Sequence, residues 1–161
     1  MIAVIETEYG DIRVRLDEKA APVTCANFAE LARRGFYDGL IFHRVIYGFM
    51  IQGGDPNGNG TGGSGKNIKG EFDANGWENP IEHKRGVISM ARAANFDSAS
   101  SQFFIMHRDA PHLDGQYAAF GHVIEGMDAV DRIASADTDS YDRPKDPQIM
   151  ERVYIQEDEE A

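Results

Sequence analysis

Phe42-His43-Arg44-Val45-Ile46-Tyr47-Gly48-Phe49-Met50-Ile51-Gln52-Gly53-Gly54-Asp55 is the stretch from which the rest of this 161-residue chain can be read. It holds parts of two β-favouring runs, Ile41 to Ile46 and Phe49 to Gln52. It also sets a guanidinium and an amide among large apolar side chains, which costs free energy unless Arg44 and Gln52 bond a partner or line a cleft. Taken alone, the block also fits a solvated edge arginine and a core glutamine satisfied by backbone. A second stretch, Ser101-Gln102-Phe103-Phe104-Ile105, again mixes one amide with adjacent aromatics, and His112-Leu113-Asp114-Gly115-Gln116-Tyr117 follows closely. The recurrence favours a cleft.

Working outward, Val87 to Ala91, Phe103 to Met106, Phe120 to Ile124 and Val153 to Ile155 read as further short strands. At the amino terminus, Ile2 to Thr7 and the alternating Ile12-Arg13-Val14-Arg15-Leu16 predict a hairpin with one face inward. A helix is predicted from about Pro22 to Arg34, opened by proline and closed by Arg33-Arg34-Gly35, and a shorter one from Met127 to Ala134. Many short strands at this density predict a barrel or a sandwich, the architectures that dispose of sheet edges. The glycine- and asparagine-rich stretch from Gly53 to Arg85 reads as a surface excursion beside the site, and Ser135 to Pro147 as polar turns.

Composition excludes several classes. Hydrophobic residues make up 42% and charged residues 27%, as in globular domains, and the formal charge of −11 with a pI near 4.8 opposes binding to nucleic acid or anionic lipid. The single cysteine, Cys25, excludes an internal disulfide, and its place in an apolar helix reads as an inert buried thiol. With no basic n-region or apolar h-region at the start, the expected location is the cytoplasm. Gly60-Thr61-Gly62-Gly63-Ser64-Gly65-Lys66-Asn67 imitates a phosphate-binding loop. Asn67 stands where the magnesium-binding hydroxyl belongs, no strand feeds the loop, and Gly70 and Gly76 spoil the following helix, so it reads as a surface loop. His43, His83, His107, His112 and His122 follow no metal-ligand spacing, and Asp137, Asp139 and Asp142 lack the glycine and glutamate of a calcium loop. No Gly-x-Ser-x-Gly elbow marks a nucleophilic serine.

In order and spacing, the Phe42 to Asp55 block, Gly62-Gly63, Gly86 to Ala91, Ser101 to Ile105, Leu113-Asp114-Gly115 and Phe120-Gly121 resemble the cyclophilin family of peptidyl-prolyl cis-trans isomerases. The likeness is to its short, single-domain, prokaryotic-like form and runs from about Ile2 to Ile155. It implies a closed eight-stranded antiparallel β-barrel capped by two helices, with a domain over 1–156 and an acidic tail over 157–161. Carried over by position, Arg44 is the catalytic arginine, with Phe49 and Gln52 beside it. Met50, Phe104 and Leu113 complete a proline pocket with Phe49, Gln102 is a polar group near the peptide, and the backbone at Ala91 and Arg92 pairs with the substrate. Three positions depart from common members: His112 stands for a tryptophan, Tyr117 for a histidine and Arg92 for an asparagine. The first exchange implies that cyclosporin binds weakly. The resemblance further implies a monomer acting on proline-containing peptides and unfolded or folding chains, without metal or cofactor. A non-catalytic proline-peptide binding module is the alternative.

The implied chemistry suits these residues. Resonance in the X-Pro amide sets a rotation barrier of about 18–20 kcal/mol. Twisting frees the nitrogen lone pair, so a donor aimed at that nitrogen binds the twisted state better than either planar one. A guanidinium, permanently charged with fixed donors, meets that need.

Overall fold

The computed structural model describes residues 1–157. The alternating segment becomes a strand: β1 (Ile2–Thr7) and β2 (Gly10–Leu16) form an antiparallel hairpin that buries Ile12, Val14 and Leu16 on one face. Gly10, at φ +111°, supplies the left-handed backbone this turn requires. Helix α1 (Pro22–Arg33) follows, and Ala21 at its start offers no capping side chain. Instead the buried Glu71 carboxylate accepts from the N–H groups of Val23 and Thr24, at 3.3 and 2.7 Å, and from the Thr24 hydroxyl at 2.7 Å. Those bonds satisfy orphan donors and set a negative charge at the positive end of the helix dipole.

Six further strands complete one sheet: β3 (Arg44–Ile46), β4 (Met50–Gly53), β5 (Val87–Met90), β6 (Phe103–Met106), β7 (Ala119–Glu125) and β8 (Arg152–Gln156). Helix α2 (Met127–Ala134) lies between the last two in sequence. The strand order is β3-β4-β6-β5-β7-β2-β1-β8. Register places Arg44, Gln52, Phe104, Ser89 and Ala119 on one rung across five strands, and Val45, Ile51, Ile105, Ile88 and Gly121 on the next. Because side chains alternate across a strand, the second rung joins the main core while the first faces away from it. That core centres on Phe28, whose ring lies 4.9 Å from Tyr37, 5.3 Å from Phe103 and 5.4 Å from Phe120. On the other face, Met50, Val87, Phe104, Met106, Ala110, Leu113 and Ala119 form a second apolar cluster.

The fold is mainly β with two α-helices among the described residues, but the sheet is an open, strongly curled half-barrel and not the closed barrel expected. No ladder joins β3 to β8 among those residues. The seam is filled by irregular chain: the Val45 N–H donates to the Asp142 carbonyl, Phe42 to Gln148 and Met150 to Leu40, at 2.8–2.9 Å, with a single bridge between Ile41 and Ile149. Pro147, inside this segment, has no N–H to give a ladder, and Pro144 is bridged to Thr138 instead. The stretch from Gly53 to Arg85 is also less superficial than expected. After β4 it forms only one 3₁₀ turn, Asp73–Asn75, yet it inserts Ile68, Glu71, Phe72, Asn79 and His83 into the interior.

Candidate active site

Two facing walls rise from the second cluster. One is the β3–β4 hairpin, turning at Gly48 (φ +79°) and presenting Arg44, Phe49, Met50 and Gln52. The other is the segment after β6, where Pro111–Leu113 form a 3₁₀ turn that buries Leu113. Between them lies a cavity of about 140 Å³, floored by Met50 and Phe104 and lined also by Leu113, Phe49, Tyr117 and Ala91. The guanidinium of Arg44 and the amide of Gln52 stand at its margin, 3.3 Å apart from Arg44 Nη1 to Gln52 Oε1. Gln52 then donates to Gln102 Oε1 at 3.0 Å, and Gln102 to the carbonyls of Gly60 and Gly62 at 3.1 and 2.8 Å. This polar chain leads into a neighbouring cavity of about 280 Å³ bordered by Thr61, Ala93, Ser98 and Ser100. Of the eleven site residues expected from sequence, nine line the apolar cavity, Gln102 lines its neighbour, and exposed His112 sets its ring 5.8 Å from that of Phe49.

The side chain of Arg92 is itself engaged. Its guanidinium lies 4.6 Å from the Tyr117 ring, 4.9 Å from Phe96 and 5.0 Å from Phe72, and donates to the Gln116 carbonyl at 2.7 Å and the Ala93 carbonyl at 2.9 Å. The side chain therefore staples the rim at Gln116-Tyr117 to the loops carrying Phe72 and Phe96. Nearby, at the entry to the loop imitating a phosphate site, the N–H groups of Asn57, Asn59 and Gly60 donate to the buried Asp55 carboxylate at 2.8, 3.1 and 2.6 Å. Burial works to raise the Asp55 pKa, but those donors together with Gly62 outweigh it and hold it below the ordinary value.

One constellation escaped the sequence reading. Ser89, His83 and Asp114 are linked in series, with Ser89 Oγ 2.9 Å from His83 Nε2 and His83 Nδ1 3.1 Å from Asp114 Oδ1, which also accepts the His83 N–H at 2.6 Å. The order is that of a nucleophilic triad, but Ser89 is fully buried on the rung beside Phe104, so no substrate carbonyl reaches it. The chain braces the pocket instead, tying the floor to the Leu113-Asp114 wall. Burial depresses the His83 pKa despite Asp114. Only the Asp-Gly turn carries a sequence signal for this brace, since the three residues lie on separate segments. Cys25 is buried as expected, with its pKa pushed up to about 12 chiefly by desolvation. Among the described residues, no group of three His, Cys, Asp or Glu side chains is arranged to hold a metal, and no helix is long and apolar enough to cross a membrane.

The family model for cyclophilin type peptidyl-prolyl cis-trans isomerase/CLD matches residues 2–155. The chain belongs to the cyclophilin family. Among relatives of this cyclophilin, a peptidyl-prolyl cis-trans isomerase of Helicobacter pylori is 49% identical over 137 residues, covering 84% of this chain and 81% of that one. Peptidyl-prolyl cis-trans isomerase B of Bacillus subtilis is 48% identical over 126 residues, covering 78% and 85%. The crystal structure of a cyclophilin type isomerase from Cryptosporidium parvum, solved in the presence of the dipeptide Ala-Pro, superposes with a TM-score of 0.90 at 34% identity, covering 98% of this chain and all of that one. The activity of this cyclophilin is accordingly peptidyl-prolyl cis-trans isomerisation.

Proposed function

We propose that the cyclophilin catalyses X-Pro rotation in the apolar cavity, with Arg44 as the donor to the imide nitrogen. The supporting observation is the juxtaposition of one exposed guanidinium with a cavity walled by Phe49, Met50, Phe104 and Leu113. The proline ring enters that cavity, the backbone of Ala91 and Arg92 pairs with the peptide, Gln52 gives its remaining amide hydrogen to a peptide carbonyl, and Gln102, its own amide spent on Gly60 and Gly62, is the polar group that holds Gln52 in place. His112 and Tyr117 form the rim. Uncatalysed exchange takes roughly 10–100 s, so turnover near 10³ s⁻¹ requires about 10⁵-fold acceleration, or about 7 kcal/mol. A charge-assisted hydrogen bond supplies about 1.5–3 kcal/mol, and the remainder comes from holding the ring still and keeping water from the planar amide. As substrates we infer proline-containing segments of unfolded or folding chains, met by a monomer in the cytoplasm, with cyclosporin a weak competitor.

The test is the cis-to-trans rate of a short X-Pro peptide by exchange spectroscopy, wild type beside Arg44→Ala. We expect acceleration by wild type and at least about a tenfold loss in the variant. Binding without acceleration would replace this reading by a proline-peptide binding module, and equal rates would remove Arg44 from its role.

A further inference from the structure

His107 is buried, lies at the end of β6 and lines neither cavity. Its backbone and its ring nonetheless grip the β3–β4 turn on both sides of Phe49. The His107 N–H donates to the Phe49 carbonyl at 2.9 Å, and the Gly48 N–H donates to His107 Nδ1 at 2.8 Å. A backbone N–H can only donate, so Nδ1 carries no proton and Nε2 must carry it. Nε2 faces Asp131 Oδ1 of α2 at 3.2 Å, an acceptor, and Arg85 holds that carboxylate through two bonds of 2.7 and 2.8 Å. Arg85 also donates to the His107 carbonyl at 3.1 Å, and the exposed Tyr47 ring covers the imidazole at 4.8 Å. Arg108 Nη1 approaches Nε2 at 3.4 Å but donates to the His107 carbonyl at 3.1 Å.

We propose that His107 is a positioning residue for Phe49, and that Asp131, clamped by Arg85, fixes the imidazole tautomer that leaves Nδ1 free to hold the turn. The proposal rests on the reading of Phe49 as a wall of the proline pocket. Desolvation, Arg108 and Arg85 all favour the neutral ring and Asp131 opposes them; the balance lies below the ordinary histidine value. Protonation at Nδ1 would expel the Gly48 N–H, so acid releases the turn.

Two near-isosteric variants separate the ring's functions. The side-chain oxygen of asparagine is as far along the chain as Nδ1, so His107→Asn keeps an acceptor for Gly48; the amide of His107→Gln extends to the place of Nε2, so it keeps only the contact with Asp131. We expect His107→Asn to stay within about twofold of wild-type kcat/KM. We expect His107→Gln to lose about fivefold or more, with the Gly48 and Phe49 amide resonances displaced further in the glutamine variant than in the asparagine variant and ¹⁵N spectra of wild type showing a proton on Nε2. The acid loss of activity that comes from this ring should be absent from His107→Asn. Variants of equal activity and equal amide shifts, or a proton on Nδ1, would overturn the proposal. Because the amide shifts read the turn without turnover, an inactive wild type would sink the catalytic reading and leave this one decidable.

Discussion

The two faces of one sheet make the instructive contrast. Phe103 and Phe104 are neighbours on β6, yet Phe103 is sealed in a ring cluster with Phe28, Tyr37 and Phe42, while Phe104 floors a cavity and touches Tyr117 edge-on at 5.8 Å. Inside, apolar surface is covered by the protein itself, and even the Tyr37 hydroxyl finds the Ser101 carbonyl at 2.9 Å. Outside, the second cluster is left one partner short. A strand that alternates with period two thus serves stability with one set of side chains and lines a cavity with the other, and a one-residue slip would exchange them.

Several substitutions would break or sharpen that contrast. Phe103→Ala should have the largest effect, about 3–5 kcal/mol of stability measured by urea unfolding, because the closed core cannot collapse onto the space left. Phe104→Ala should cost about 2 kcal/mol in the same experiment, since its cavity already opens to water, yet it should reduce isomerase activity far more than stability. If both substitutions cost the same stability, the distinction between the faces fails. Acid comes next. Burial keeps the pKa values of His43, His83 and His107 below the ordinary 6.5, so the unfolded chain takes up protons before the folded one does. The urea midpoint should therefore begin to fall as pH drops below about 6.5. Asp55 adds a separate loss below its ordinary value of 3.8, because its depressed carboxyl keeps its contribution only while ionised. A midpoint flat from pH 7 to 5 would contradict the histidine assignment. The smallest effect is expected from Arg92→Lys, which keeps the charge but loses the planar staple: about 0.5–1 kcal/mol in peptide affinity by titration calorimetry, with stability nearly unchanged.

Most of the fold was legible because it depends on local pattern, and the residues that line the candidate cavity were named through the family resemblance. The hairpin, α1 and α2 follow from alternation, proline and helical spacing, and the blocks around Arg44, Gln102 and Leu113 carry the family resemblance. What escaped reading is held together across sequence. Glu71 caps a helix 47 residues away from Thr24, Ser89 meets His83 and Asp114 only after three segments converge, and the guanidinium of Arg92 finds its three rings through loops without periodicity. Closure was misjudged because barrel and curled sheet share the same strands and differ only at a proline-bearing seam. Of the acidic tail, Glu157 pairs with Arg33, and 158–161 lie outside the described residues.

That seam bears on how the molecule meets an extended chain. An extended, incompletely folded chain seeks unpaired backbone donors and acceptors, and a bare sheet margin would invite it to add a strand and remain attached. Here the outer rim of β3 is occupied by irregular chain containing Pro144 and Pro147, which supplies the Asp142 carbonyl to Val45 but offers no repeating set of N–H groups to a newcomer. On the reading proposed above, a visiting chain is thereby directed to the groove, where the short backbone contact at Ala91 and Arg92 can be left again, and away from a continuous backbone zipper along β3, which it could not leave.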